Sequence, residues 1–75
     1  MVTATDSHIG RRLRGKRLAM GLSPGSLAAL LSTDEATIEA YERATESIPA
    51  EHLARLCEIL DVPLRYFLPS KSDGC

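Results

Sequence analysis

The 75-residue sequence predicts one small all-α domain, and three observations lead to that prediction. Leu and Ala, which are strong helix formers, are abundant, whereas β-branched residues are few. Apolar residues recur at helical spacing in several short segments. Aromatic residues make up only 4% of the chain and Trp is absent, so we expect a core of Leu, Ile and Ala.

The first helix is predicted over about residues 7–20, after a flexible tail at 1–6. Asp6 or Ser7 is expected to cap it, because a short oxygen-bearing side chain satisfies free amides of the first turn. Gly21 follows as a left-handed C-cap. The apolar residues on one face of this helix are expected to lie in the core: Ile9, Leu13 and Met20.

The second helix is predicted over about residues 24–31, with Ser23 as its N-cap and Pro24 at its first position. A tight connection then leads to a third helix at about 34–43. Asp34 can cap this helix, and Glu35 favours the positive end of its dipole. The expected core residues of the two helices are Leu27, Leu30, Leu31, Ile38 and Tyr41.

A polar loop ending at Pro49 precedes the fourth helix, which is predicted over about residues 50–60. Its apolar stripe consists of Leu53, Leu56, Cys57 and Leu60. A fifth, short helix is expected at about 63–68, with Leu64 and Phe67 assigned to the core. Residues 69–75 are expected to form a second flexible tail.

Charge is distributed unevenly although the net charge is only −1. Residues 1–33 carry five basic and one acidic side chain, for a net of +4, whereas residues 34–75 carry four basic and nine acidic ones, for a net of −5. This asymmetry is typical of a nucleic-acid surface on the first helix. It is equally compatible with two halves that pair with each other.

Several classes of protein are not expected from this sequence. No segment approaches the ~20 apolar residues of a membrane span, and nothing indicates export. Cys57 and Cys75 are expected to be free thiols in a reducing cytoplasm. His8 and His52 lie far apart and without metal-ligand spacing, so we expect no metal site, no cofactor, no small-molecule substrate and no enzymatic activity.

An ordered set of residues across the predicted helices resembles the Cro- and phage-repressor-like (XRE-type) helix-turn-helix family. It consists of Gly21-Leu22-Ser23, Leu27-Ala28, Leu31, Ile38 and Tyr41-Glu42-Arg43, extended by Ile9-Gly10-Arg11-Arg12-Leu13-Arg14 upstream and by Leu53, Leu56, Ile59-Leu60, Val62-Pro63 and Phe67 downstream. The resemblance implies a five-helix lambda-repressor-like domain over residues 7–68. It also implies a partly buried structural ion pair between Arg17 and Glu42.

The same resemblance implies a transcriptional regulator that binds double-stranded DNA with its third helix in the major groove. The base-facing residues would be Glu35, Ala36, Thr37 and Ala40. The phosphate contacts would be Ser23, Gly25, Ser26, Arg43, Thr45, Ser47, Arg11 and Arg14. A homodimer is expected because one helix reads only a half-site. Apolar side chains concentrated near the end of the chain indicate its interface: Leu64, Tyr66 and Leu68.

The sequence departs from this family mainly on the side that would face DNA. Pro24 stands where Gln is usual, and Ser32 and Ala44 stand where Gly is usual. Asp34 and Glu35 place two carboxylates where phosphates or bases should lie, although Glu can accept a hydrogen bond from cytosine N4. A second hypothesis is therefore a degenerate helix-turn-helix module, an adaptor or antagonist that binds a protein partner and little or no DNA.

Overall fold

The structure, a computed structural model, describes residues 4–68, which are helical without strands. Four α-helices follow one another: α1 Ala4–Ala19, α2 Pro24–Leu31, α3 Glu35–Arg43 and α4 Ala50–Leu60. A 3-10 turn at Leu64–Tyr66 is the last regular element of the described residues. The prediction of a fifth α-helix is therefore wrong. Only the three residues after Pro63 are helical. Their backbone hydrogen bonds join residues three apart, as between the Phe67 amide and the Leu64 carbonyl, whereas an α-helix joins residues four apart.

Helix α1 begins three residues earlier than predicted. Residues 4–6 form its first turn, so neither Asp6 nor Ser7 is a cap. Asp6 instead accepts a hydrogen bond of 3.0 Å from the Ser47 hydroxyl, which ties the start of α1 to the loop after α3. Residues 1–3 and 69–75, the remaining parts of the two expected tails, lie outside the described residues.

The limits of α2 and α4 agree with the prediction, and α3 begins one residue later, at Glu35. Two predicted N-caps are confirmed by hydrogen bonds. The Ser23 hydroxyl accepts from the Ser26 amide at 3.0 Å, and the Asp34 carboxylate accepts from the Thr37 amide at 2.9 Å. Because both caps act within one turn, the local sequence is sufficient to define where these helices start.

The core lies among all four α-helices and the 3-10 turn. Its buried members are Ile9, Leu13, Leu27, Ala28, Leu31, Ile38, Tyr41, Leu56, Leu60 and Phe67. Met20 and Leu30, which were expected in the core, are 44% and 49% exposed. Met20 follows the end of α1, and Leu30 lies beside the buried Leu27–Leu31 face of α2 rather than on it. Leu64, also assigned to the core, is 50% exposed at the start of the 3-10 turn, whereas Tyr66 packs partly against the core and Phe67 is buried.

Gly10 marks the closest approach between α1 and α3. A Cβ added there would lie 2.6 Å from the Tyr41 carbonyl oxygen and 2.7 Å from that of Glu42. Both atoms belong to the backbone and cannot move aside, so only glycine fits at this position. The backbones of α1 and α3 therefore pack directly against each other.

Gly21, predicted as a left-handed cap after α1, has a φ of 71°, and left-handed residues that carry a Cβ end the other three helices. Ser32, Ala44 and Asp61 follow α2, α3 and α4 with φ angles of 62°, 60° and 57°. A residue with a Cβ is less stable in this conformation by about 1–2 kcal/mol, although Asp tolerates it better. Ala44 has no polar side chain to offset that cost. The backbone at positions 32 and 44 therefore favours Gly, the residue that the related family usually has there.

Ala44→Gly is expected to stabilise the domain by about 1 kcal/mol, because glycine removes the Cβ from a left-handed backbone. Urea unfolding followed by circular dichroism measures the change. The control is Ala54→Gly at an exposed position within α4, which should destabilise by about 1 kcal/mol. Destabilisation by both substitutions would contradict the strain assigned to Ala44.

Candidate nucleic-acid interface

The first turn of α2 uses most of its polar groups internally. Pro24 has no amide hydrogen, and the Ser26 amide is bound by the Ser23 hydroxyl. That hydroxyl in turn lies 3.0 Å from the Ser26 hydroxyl and donates to it. The Gly25 amide, another predicted phosphate contact on this turn, has no hydrogen-bond acceptor among the described residues. The turn is therefore a weaker anion-binding surface than the resemblance implies.

The start of α3 presents the residues predicted to face bases. Glu35 and Ala36 are exposed, whereas Thr37 and Ala40 are half-buried. The Thr37 hydroxyl donates to the Asp34 carboxylate at 2.7 Å, so its hydrogen is already used. The hydrogen bonds from the Thr37 side chain and amide lower the pKa of Asp34. Asp34 thus remains ionised in its cap, and Glu35 and Ala36 form the accessible tip of α3.

Glu35 reaches from α3 back to α2. Its Oε1 atom lies 3.6 Å from the position that a Cβ on Gly25 would occupy. No cation lies within salt-bridge distance of Glu35 among the described residues. The carboxylate therefore stands beside the first turn of α2, where the resemblance places a DNA phosphate.

An open pocket of about 230 Å³ lies between α1, the start of α2 and the second half of α3. Its lining is Arg14, Arg17, Pro24, Glu39, Glu42 and Arg43. The structure thus brings two predicted phosphate contacts, Arg14 and Arg43, to one pocket. Glu39, which the site prediction omitted, also lines this pocket and reduces its net positive charge. The sequence contained a signal for this position, because Glu39 lies four residues before Arg43 and residues four apart on a helix are neighbours.

The remaining predicted phosphate contacts divide into two groups. The Thr45 hydroxyl donates to the Ala40 carbonyl at 3.3 Å, and the Ser47 hydroxyl donates to Asp6, so both are held by internal bonds. Arg11 and Arg14 are exposed on α1, three residues apart and hence on one face. The exposed arginines therefore join the Gly25 amide and the Ser26 hydroxyl as phosphate-binding candidates with uncommitted donors.

Arg17 and Glu42 form the ion pair that the family resemblance implied. Arg17 Nε lies 2.6 Å from Glu42 Oε2 and Nη2 lies 3.1 Å from Oε1, and each side chain is only 7% exposed. The third guanidinium nitrogen, Nη1, donates to the Leu22 carbonyl at 2.8 Å. The hydrogen bond with Glu42 raises the pKa of Arg17 although burial opposes this. The group therefore joins α1, the segment before α2 and the end of α3.

A second interhelical bond was not foreseen from the sequence. The Tyr41 hydroxyl and His52 Nδ1 lie 2.9 Å apart and connect α3 to α4. Burial raises the pKa of Tyr41, and the charge of Glu46 adds to the effect. The two residues are eleven positions apart, on different helices, so no local pattern relates them. This bond fixes the base of α3 while leaving its tip free.

The predicted dimer residues lie at and beside the 3-10 turn. Leu64 and Leu68 are 50% and 40% exposed, whereas Tyr66 is half-buried. The Tyr66 ring packs edge-to-face on Phe67, and the Arg12 guanidinium lies 5.2 Å from its centre. Tyr66 therefore also has a structural role, and the two leucines provide the accessible apolar area.

The described residues contain few groups suited to other chemistry. No three His, Cys, Asp or Glu side chains in residues 4–68 are grouped to hold a metal ion. Within the same range, no helix combines the length and apolar character needed to cross a bilayer. Cys57 is a half-buried free thiol, and burial raises its pKa. Cys75 lies outside the described residues.

A family profile described as "Helix-turn-helix domain" matches residues 8–65. The chain belongs to this family. An HTH-type transcriptional regulator from Sinorhizobium medicae is 34% identical to this helix-turn-helix domain over 70 residues, which are 92% of the chain and 50% of that regulator. A transcriptional regulator from Rhodospirillum rubrum is 33% identical over 69 residues, or 64% of its length. The chain thus spans about half to two thirds of these relatives.

Solved helix-turn-helix structures share the fold. The restriction-modification controller protein C.AhdI from Aeromonas hydrophila superimposes with a TM-score of 0.81 and 30% identity, over 88% of this chain and 100% of that one. The P22 c2 repressor, solved with a synthetic operator, superimposes with a TM-score of 0.76 and 23% identity. The match covers 80% of this chain and 91% of the repressor chain. At that identity the likeness concerns the fold alone. The family resemblance seen in the sequence is confirmed.

Glu42→Leu is expected to destabilise the domain by about 3–5 kcal/mol, because it leaves the Arg17 guanidinium buried without its carboxylate. Urea unfolding measures the loss. The double variant Arg17→Met/Glu42→Leu should recover most of it, since it removes the buried charge as well as its partner. If the double variant is as unstable as the single one, the loss does not arise from an unpaired charge.

Proposed function

We propose that this domain is the DNA-binding part of a transcriptional regulator and that α3 enters the major groove of double-stranded DNA. The observation that carries the proposal is the arrangement of α2 and α3. Arg17 holds the segment before α2 against the end of α3, and the tip of α3 remains exposed beside the first turn of α2. Relatives named as transcriptional regulators support the same function. Such a regulator would act in the cytoplasm.

In this proposal, arginines provide most of the contacts to the DNA backbone. Arg14 and Arg43 flank the pocket at the start of α2, and Arg11 lies one turn away from Arg14. Ser23, Thr45 and Ser47 contribute less than a family pattern implies, because their hydroxyls donate to internal acceptors. The Ser26 hydroxyl accepts from Ser23 and keeps its own hydrogen for a phosphate. Phosphate contacts position the protein and carry no sequence information, so specificity falls to Glu35, Ala36 and Ala40.

The regulator is proposed to act as a homodimer. A single recognition helix reads one half-site, and two-fold symmetry of the protein then matches a palindromic operator. Leu64 and Leu68 supply adjacent exposed apolar area at the 3-10 turn, on an element distinct from α3. An interface there leaves α3 of each protomer free for DNA.

The second candidate function is binding to a protein partner in place of DNA. Two observations favour it: the first turn of α2 keeps only the Gly25 amide without an internal acceptor among the described residues, and Asp34 and Glu35 are acids at the start of α3. A partner with a basic surface would suit this face. Salt separates the candidates, because binding to phosphates weakens steeply with ionic strength.

The purified protein is expected to bind DNA from upstream of its own gene in the presence of random duplex competitor, with affinity that falls as salt rises. Fluorescence anisotropy at a series of salt concentrations gives the slope of log affinity against log salt. Arg43→Gln should weaken binding and reduce this slope by about 1, because one phosphate contact is lost.

Arg55→Gln is the matched control for this experiment. Arg55 lies on α4, and its guanidinium donates to the Leu30 carbonyl near the end of α2. It should leave the slope unchanged. Failure of the folded wild-type protein to bind at any salt concentration would overturn the DNA-binding proposal and favour the protein partner.

Leu64→Glu is expected to shift the protein from dimer to monomer, because it places a charge on the apolar surface at the 3-10 turn. Sedimentation velocity measures the change. Leu18→Glu is the control, since Leu18 is similarly exposed on α1 at 55%. Loss of the dimer in the control alone would place the interface on α1 instead.

A further inference from the structure

Glu35 occupies an unusual electrostatic position at the tip of α3. It is exposed, has no cationic partner among the described residues and lies against the first turn of α2 at Gly25. Asp34 caps α3 and Glu42 binds Arg17, whereas Glu39 is half-buried in the pocket that Arg14 and Arg43 also line. Glu35 is therefore the acid at the exposed tip of α3 that caps no helix and pairs with no cation among the described residues.

The neighbouring turn explains why the carboxylate stays near Gly25. Pro24 supplies no amide hydrogen and the Ser26 amide is capped, which leaves the Gly25 amide as the positive end of α2. A negative side chain is favoured at that end of a helix. Glu35 thus occupies the place where a DNA phosphate would otherwise approach α2. The contact opposes sequence-independent binding, because a phosphate there would meet a carboxylate.

An ionised carboxylate can only accept hydrogen bonds, so it favours base edges that present donors in the major groove. Guanine presents two acceptors, and thymine presents one acceptor and a methyl group. Adenine presents an acceptor beside its amino group. Cytosine alone presents an amino donor without an adjacent acceptor on the same base. Glu35 would consequently be repelled by most edges and satisfied by cytosine N4.

We infer that Glu35 is the specificity-determining residue of this domain and that it selects a cytosine in each half-site. This inference rests on the proposed binding of α3 in the major groove. Ala36, exposed beside Glu35, offers only a methyl group, which suits apolar contact with a thymine methyl. Glu35 therefore contributes discrimination in two ways: it accepts from the amino group of cytosine, and it repels the acceptor edges of other bases.

The first test is selection of duplexes from a randomised library by the wild-type protein and by Glu35→Gln. The wild type should enrich cytosine at one position of each half-site. Glu35→Gln should change that preference to adenine, because an amide bonds both the amino group and the adjacent acceptor of adenine. Its affinity for random duplex should rise at least about fivefold, which corresponds to ~1 kcal/mol of relieved repulsion.

Glu39→Gln is the matched control, since it removes one negative charge from the same helix. It should raise affinity for DNA in general and leave the base preference unaltered. An unchanged preference in Glu35→Gln, with both proteins binding, would overturn the role of Glu35 alone. Absence of binding by wild type and variants would overturn the proposed function, and the base selection with it.

A second test needs no DNA. The amide resonance of Gly25 in the free protein, observed by NMR at neutral pH, should differ between the wild type and Glu35→Gln, because the substitution removes the charge beside the first turn of α2. Glu39→Gln, the matched control, should leave this resonance in place. A Gly25 resonance that is the same in the wild type and in Glu35→Gln would show that Glu35 is not held against α2, and would overturn this contact.

Discussion

The buried guanidinium of Arg17 is the interaction on which the arrangement of the helices depends. Its three nitrogens bind both oxygens of Glu42 and the carbonyl of Leu22, so one side chain from α1 fixes α3 and the approach to α2 together. Lysine could not replace it, because a single ammonium lacks the planar fork that serves the carboxylate and the carbonyl at once. A buried ion pair contributes little net stability, but it strongly disfavours arrangements that separate the partners.

Backbone geometry also fixes the arrangement of the helices. Helices of 8, 9 and 11 residues are too short to be stable alone, so their stability comes from packing. Gly10 lets α1 meet the carbonyls of α3 directly. Ser32, in the left-handed region, reverses the chain within a few residues, and the Thr33 amide bonds to the Ala28 carbonyl at 2.9 Å. This tight turn places the start of α3 beside the start of α2.

The sequence predicted most features that depend on local interactions, although the start of α1 and the last segment were exceptions. The caps at Ser23 and Asp34 and the limits of α2 and α4 involve neighbours within one or two turns, and they agree with the structure. Periodicity could not show which side of α2 meets the core, so Leu30 was misplaced. The last segment was predicted as a helix because its apolar spacing fits one, yet it is too short to complete an α-helical turn.

The same distinction applies to the candidate site. The resemblance identified the tip of α3 and the Arg17–Glu42 pair, because these follow from positions in a shared pattern. It could not show that the Ser47 hydroxyl is bound to Asp6, 41 residues away. Nor could it show that Glu35 lies against Gly25, since that contact depends on how two helices meet. Hydrogen-bond donors that seem available in a sequence are often used within the folded chain.

The charges at the start of α3 are opposite in sign to those proposed to bind DNA. Acidic residues at a helix start interact favourably with its dipole, and Asp34 is held ionised by Thr37. A duplex with one negative charge per ~1.7 Å of axis is repelled by the same carboxylates. In the proposed complex, attraction would come mainly from Arg11, Arg14 and Arg43, and Glu39 would reduce it. Backbone contacts alone would then give weak binding, so a matching base edge at α3 would decide whether the proposed complex is stable.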